Sequence, residues 1–177
     1  MPEEIEVPTE HLHEKINEEA EHGERWILVV AMSTALLAVA AAIASLLAGH
    51  HANESLLEQI AASDQWSYYQ AKGVKAAVLE GKMELLKAMD KAPTEGDAEK
   101  LAKYADQQKE ISELAHEKEK ASATHLAIHS VLAKSVTFFQ IAIAVAAISA
   151  ITRKKPLWFG SLLLGAVGFV FLFMGLV

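Results

Sequence analysis

Charge in this chain is sorted into blocks, and that sorting constrains the fold more than any motif does. Residues 26–49 carry no charged side chain, residues 50–134 carry 14 acids and 11 lysines, and beyond them the only charges are Arg153, Lys154 and Lys155. A water-soluble globule interleaves apolar and charged residues so that each helix or strand buries one face. A chain that separates them over some twenty residues at a time is built for two solvents, hydrocarbon and water.

Three uncharged stretches are long enough to cross a bilayer. Residues 26–49 would extend roughly 36 Å as a helix, more than the ~20 residues a hydrocarbon core requires. The segment before them, residues 1–25, holds nine acids against Lys15 and Arg25, whereas a signal peptide has a basic leader and a shorter apolar run. Residues 135–152 form the second span, interrupted by Gln140, and residues 157–177 the third. Pro156 sets a helix boundary between these two, because proline and the residue before it both disfavour a continuing helix. The expected fold class is an all-α membrane protein with three transmembrane helices and a long extramembrane antiparallel helical hairpin, coiled-coil-like, between spans one and two. Its parts are an acidic N-terminal segment (1–25), span one (26–49), the hairpin (50–134), span two (135–152) and span three (157–177).

Orientation follows from Lys and Arg beside the spans. Arg153, Lys154 and Lys155 belong in the cytoplasm, and Arg25 on the N-side of span one agrees; Lys134 dissents. The N-terminus is then cytoplasmic, with the hairpin and the C-terminus outside. Trp26 and Trp158 fall at the cytoplasmic interface, where membrane proteins concentrate tryptophan.

Within residues 50–134 the one strong turn signal is Lys91-Ala92-Pro93-Thr94-Glu95-Gly96-Asp97, which places the turn at 93–96. Thr94 and Asp97 have capping-box spacing. The first arm offers an apolar stripe through Ala71, Val74, Val78, Leu85 and Met89, broken by Lys82. The second offers Leu101, Tyr104, Ile111, Leu114 and Ala115, weakening through His125, Ile128 and Leu132. Such thin stripes suit a two-helix coiled coil, and their thinness points to further association between copies. A turn centred at 94–95 makes residues whose numbers sum to about 189 face each other, since both arms rise equally per residue. Trp66 then faces Ala123, Tyr69 faces Lys120, His125 faces Asp64, His129 faces Ile60, and His50 and His51 face residues 138–139.

Small residues line the spans. Ala31, Ala35, Ala38, Ala42, Ser45 and Gly49 recur at alternating spacings of four and three, as do Ser161, Gly165 and Gly168. Small side chains let membrane helices approach closely, so these are expected helix–helix seams, within one chain or between chains.

Candidate chemistry is sparse. No cysteine is present, which removes disulfides, thiolate metal sites and cysteine nucleophiles. Phosphate-binding, serine-hydrolase and zinc-protease motifs are absent, no cofactor is implied, and the chain reads as a non-enzyme. A formal charge of −7 offers nucleic acid no basic surface. No ionisable residue lies inside a span, which weakens a transport reading. Of the eight histidines, His125 and His129 share a helix face, as do His51 and Glu54. On the symmetric pairing these two groups do not meet. The surviving cluster is Asp64, His125 and His129, short of ligands for a metal; as a pH-sensitive contact, Asp64 beside His125 would raise the imidazole pKa. Trp66 and Tyr69 share a face, either packed on the opposite arm or free to anchor a partner.

The stretch Trp66-Ser67-Tyr68-Tyr69-Gln70-Ala71-Lys72 sets aromatics into an otherwise charged helix. With the acidic start, one span, a long charged helical middle and two final spans, it resembles the bacterial family catalogued as domain of unknown function 4337. The resemblance implies this architecture and an inner-membrane location; it supplies no reaction, ligand or catalytic residue. The functional expectation is an oligomeric structural, scaffolding or interaction protein whose partners are membrane lipids, further copies of itself, and an unidentified protein at the hairpin or the acidic N-terminus. The alternatives are an oligomeric channel or transport accessory protein and, third, a metal- or pH-responsive membrane protein using Asp64, His125 and His129.

Overall fold

A computed structural model describes the backbone of residues 9–177 and the side chains of residues 25–177. The partner role expected of the acidic N-terminal segment falls on side chains outside that range. The described residues form three helices: α1 (Thr9–Ala88), α2 (Asp97–Thr152) and α3 (Lys155–Leu176). All three are long and apolar enough to cross a membrane. α1 runs unbroken through Gly49, His50 and His51. The helices contribute to two compact units, Met1–Leu47 with Val131–Val177, and Ala48–Ser130.

In the first unit the buried stripes hold mostly small side chains. They are Val30, Leu37, Ala41 and Ala44 on α1, Ser135, Phe139, Ala142, Ala146 and Ser149 on α2, and Ser161, Gly165, Gly168 and Leu172 on α3. Gly165 and Gly168 lie close against the neighbouring helices. A side-chain carbon on Gly165 would lie 2.6 Å from Leu37 Cδ2, and one on Gly168 would lie 2.8 Å from the Phe139 ring. The Ser135 hydroxyl donates to the Gly168 carbonyl at 2.8 Å. Small side chains let helices approach this closely, and the hydrogen bond ties two of them together. The seam of Ala31, Ala35, Ala38, Ala42, Ser45 and Gly49 behaves differently: within the chain all six residues are exposed. The α2–α3 turn reverses at Arg153, whose φ is 52°. It is closed by Ser149 Oγ donating to the Lys154 carbonyl at 2.9 Å, and proline follows in the first turn of α3.

In the second unit α1 and α2 run antiparallel, but in a register different from the symmetric one. His51 meets His125, Ser55 meets Ser122, Glu58 meets Lys118, and Lys82 meets Asp97. Asp97, the first residue of α2, should have faced Ala92; the arms are offset by about twelve residues from a pairing that assumes helix up to the turn. α1 instead ends early, at Ala88. Asp90 takes a left-handed conformation (φ 54°), and the Lys91 amide returns to the Leu86 carbonyl at 2.8 Å, with Asp90 bonded to Lys87. This is the Schellman arrangement, usually built with glycine. The connecting residues then run back beside α1, bringing Thr94 Oγ1 within 3.0 Å of Lys82 Nζ. A non-helical residue covers about twice the length of a helical one, so a short return segment shifts the register far.

Burial identifies the inter-arm seam. On α1 it passes through Ala48, His51, Ser55, Glu58, Ala62, Gln65, Tyr69, Lys72, Ala76, Leu79, Met83 and Leu86. On α2 it passes through Asp97, Leu101, Tyr104, Gln108, Ile111, Ala115, Lys118, Ser122, His125 and His129. Both lists alternate steps of three and four without a slip. The stripe expected for the first arm is therefore not the seam: Val74, Val78, Leu85 and Met89 are 63%, 68%, 63% and 54% exposed. Val74, Val78 and Leu85 lie on the outer face of α1, and Met89 follows its last residue. Bulk and hydrophobicity marked them, whereas the seam mixes small and polar residues such as Ala62, Ser55 and His51 with larger ones such as Leu79 and Met83.

Candidate functional site

Two clusters on the α1–α2 pair concentrate the polar chemistry. The first spans four successive layers of the seam. His129 Nδ1 lies 2.8 Å from the Ala48 carbonyl oxygen, which fixes a proton on that nitrogen because a carbonyl only accepts. In the next layer His51 Nδ1 and His125 Nδ1 are 2.9 Å apart. One ring must donate and the other accept, so at least one is neutral. Burial, the neighbouring His125 and the adjacent His50 together hold the His51 pKa below the ordinary histidine value, with Glu54 opposing and His129 adding to the depression. Beyond lies a reciprocal serine pair. Ser55 Oγ donates to the Ser122 carbonyl at 3.0 Å and Ser122 Oγ to the Ser55 carbonyl at 2.8 Å. An ion pair, Lys118 Nζ to Glu58 Oε2 at 3.0 Å, closes the run. Polar residues at seam positions cost stability and specify register, and here they fix the offset described above.

This corrects the histidine reading. His51 and Glu54 do share a neighbourhood with His125 and His129, because the arms are staggered. Asp64 is left out: it is exposed and makes no hydrogen bond or ion pair among the described residues. The neighbour of His125 is thus an imidazole and not a carboxylate. Among the described residues no group of three or more His, Asp or Glu side chains is arranged to hold a metal ion.

The second cluster is the aromatic motif. Trp66 Nε1 donates to Glu119 Oε1 at 2.8 Å, and His116 Nδ1 lies 3.0 Å from Glu119 Oε2. These two contacts, the tryptophan's first, hold the Glu119 carboxyl below the usual glutamate range. The Trp66 ring meets Tyr69 and His116 edge to face, with centroids 5.6 and 5.1 Å apart. Trp66 therefore faces Glu119 and His116 where Ala123 was expected, and the Tyr69 carbonyl accepts from Gln108 Nε2 at 3.4 Å where Lys120 was expected. Lys72, the last residue of the motif, is only 9% exposed. Its ammonium lies 4.9 Å from the Tyr68 ring centroid and 5.7 Å from that of Tyr104.

At the far end of the pair, Lys82 bonds both Asp97 carboxylate oxygens, at 2.8 and 3.1 Å. Asp97 also accepts from the Thr94 amide at 3.1 Å. This is the carboxylate half of a capping box, with Lys82 taking up the Thr94 hydroxyl. The lysine contact is the main reason the Asp97 pKa lies below the ordinary aspartate value. Lys82 is thus a clamp on the turn, a role its position in an apolar stripe did not suggest. In the membrane-compatible unit, Ala31, Ala35 and Ala38 line an apolar groove of about 450 Å³ with Thr34, Ala146 and Ala150.

Comparison with curated proteins and with solved structures finds no match. The family model described as Domain of unknown function (DUF4337) matches residues 26–177, a range that takes in all three apolar segments and both polar clusters. The chain belongs to that family.

Proposed function

We propose that this protein is a membrane-anchored assembly protein. Its three helices span the inner membrane in the orientation set by Arg25, Arg153, Lys154 and Lys155, and the α1–α2 pair is a coiled-coil hairpin held outside the bilayer as an interaction surface. It catalyses no reaction. The observation that carries this reading is the outer stripe of α1, where Val74, Val78, Leu85 and Met89 stand exposed at 54–68%. They lie on the side of α1 away from the inter-arm seam. Large apolar side chains aligned along a water-facing helix mark a protein contact. The uncovered alanine groove at Ala31, Ala35 and Ala38 supplies a matching close-approach surface between spans.

The test is the mass of the full chain in lipid nanodiscs, measured by light scattering. The wild type is expected to be oligomeric, and Leu85→Glu with Met89→Glu to lower the copy number. A monomeric wild type overturns the reading. Labelling of cysteines placed at Asp97 and Lys154 from opposite sides of the membrane supports the orientation; labelling of both from one side overturns it.

A further inference from the structure

The outer face of α1 carries a second heptad stripe. Residues 57, 60, 64, 67, 71, 74, 78, 81 and 85 follow one another in steps of three and four, the same stepping as the seam to α2, and all are exposed within the chain. At about 100° per residue the two stripes lie on nearly opposite sides of the helix. Leu57, Ile60, Val74, Val78 and Leu85 stand 50–68% exposed along the outer one. Heptad spacing kept up for about four repeats calls for a second helix as the covering element.

Gly81 points the same way. Glycine inside a helix weakens it relative to alanine, and a side-chain carbon at Gly81 would meet nothing within 4 Å. No described residue uses the space. At Gly73, by contrast, the side-chain amide of Gln108 lies 3.0 Å from where that carbon would stand. On a helix face, a glycine unused within the chain suits the close approach of a second backbone.

The stripe is complementary to itself, as a two-fold contact between copies requires. In a parallel, in-register pair Leu57 meets Leu57 and Val78 meets Val78. Ala71 and Gly81 give close layers, and Asp64 with Ser67 a polar one. The residues flanking the stripe carry three charges, Lys75, Lys82 and Glu84. Parallel pairing sets each flank residue against the one five positions away on the other helix. Lys75 then faces Gln70, Lys82 faces Ala77 and Glu84 faces Met89, so no like charges meet on the flanks.

We propose that α1 packs along α1 of a second copy through this stripe, parallel and in register, so that it holds α2 on one side and its own copy on the other. The pairing rests on the assembly reading above and deepens it by fixing partner, direction and register. Copies inserted in one membrane present α1 in one direction and at one height. Asp64 limits the strength of the pair, because two carboxylates share its layer.

The chain has no cysteine, so single cysteines in the full chain report the contact. In lipid vesicles under mild oxidation, Ile60→Cys and Val78→Cys should each give disulfide-linked dimers, since equivalent residues face each other at bonding distance. Glu80→Cys, exposed but off the stripe, should not. An antiparallel pair centred on Ala71 would set Val78 against Asp64 and leave Val78→Cys unlinked. Asp64→Lys reads the register. Mixed with differently tagged chains that keep Asp64, all carrying Val78→Cys, it should link to them about threefold more often than to its own kind, the effect of one surface ion pair. Random mixing overturns the register, and equal linkage of Glu80→Cys reduces the contact to collision and overturns the pairing. Absent linkage at Ile60 and Val78 in a sample of oligomeric mass overturns this pairing alone; a monomeric mass overturns the assembly reading with it.

Discussion

The imidazoles of His51 and His125 share a hydrogen bond of 2.9 Å between their Nδ1 atoms across the α1–α2 seam. Two protonated rings cannot make that bond, and His50 and His129 add positive charge around it in acid while Glu54 alone opposes them. Because the folded pKa of His51 is depressed, the unfolded chain binds the proton more readily. The associated stability is full above the ordinary histidine range and is lost as pH falls through the lowered value. Amide exchange of residues 48–60 should therefore accelerate on acidification to about pH 5, below the ordinary histidine pKa. His51→Gln should flatten that response, and an unaltered acid response in this variant would rule the pair out as its source.

Asp97 titrates in the same direction for a different reason. The Lys82 ammonium holds its carboxylate in the charged form, so the clamp is fully present above the ordinary aspartate range and is lost as pH falls through the lowered pKa. Asp97→Asn and Lys82→Met should each speed exchange of the amides of residues 94–100 at neutral pH, and should do so no further when combined. Additive effects would mean that the two residues act separately.

The Ser55–Ser122 layer should register as a coupled pair. Ser55→Ala removes one donor to a buried carbonyl, at a cost of about 1 kcal/mol. Ser122→Ala does the same from the other side. A double-mutant cycle on thermal unfolding in nanodiscs should give a non-zero coupling, since the hydroxyls also touch each other at 3.1 Å.

Among the glycines of α3, Gly168 and Gly160 make a controlled comparison. A side-chain carbon at Gly168 meets the Phe139 ring, whereas at Gly160 nothing lies within 4 Å. Gly168→Ala should cost about 1–3 kcal/mol through overpacking. Gly160→Ala should be neutral or slightly stabilising, because alanine favours helix by about 1 kcal/mol over glycine. Comparing the two in a denaturant titration checks the α2–α3 packing directly.

The number and kind of helices were plain in the sequence because charge is absent over three long runs, and Pro156 marked one boundary chemically. The turn region was recognisable too, yet the pairing was not. Register depended on where α1 stops, and it stops on Asp90 in a conformation that glycine usually advertises. Once Asp97 meets Lys82 and not Ala92, every facing pair moves, which is why His51 finds His125 and Asp64 finds nothing. The seam itself was hidden for a related reason. Val74, Val78 and Leu85 outrank Ala76, Ser55 and His51 in hydrophobicity, but close helix approach selects small side chains and hydrogen bonds that satisfy one another. Lys72 could have been singled out from its place three residues after Tyr69, at seam spacing; its charge argued against burial.

The unbroken alternation of three- and four-residue steps along both arms has a consequence for how this chain can vary in length. Removing or adding one residue in either arm would rotate all that follows by about 100° and bring outer residues into the seam. A change confined to one arm, even of seven residues, would slide His51 away from His125 and Ser55 away from Ser122. The hairpin can therefore grow or shrink only in matched blocks of seven, one from each arm. Each such block changes its height by about 10 Å and leaves the layers on either side unaltered.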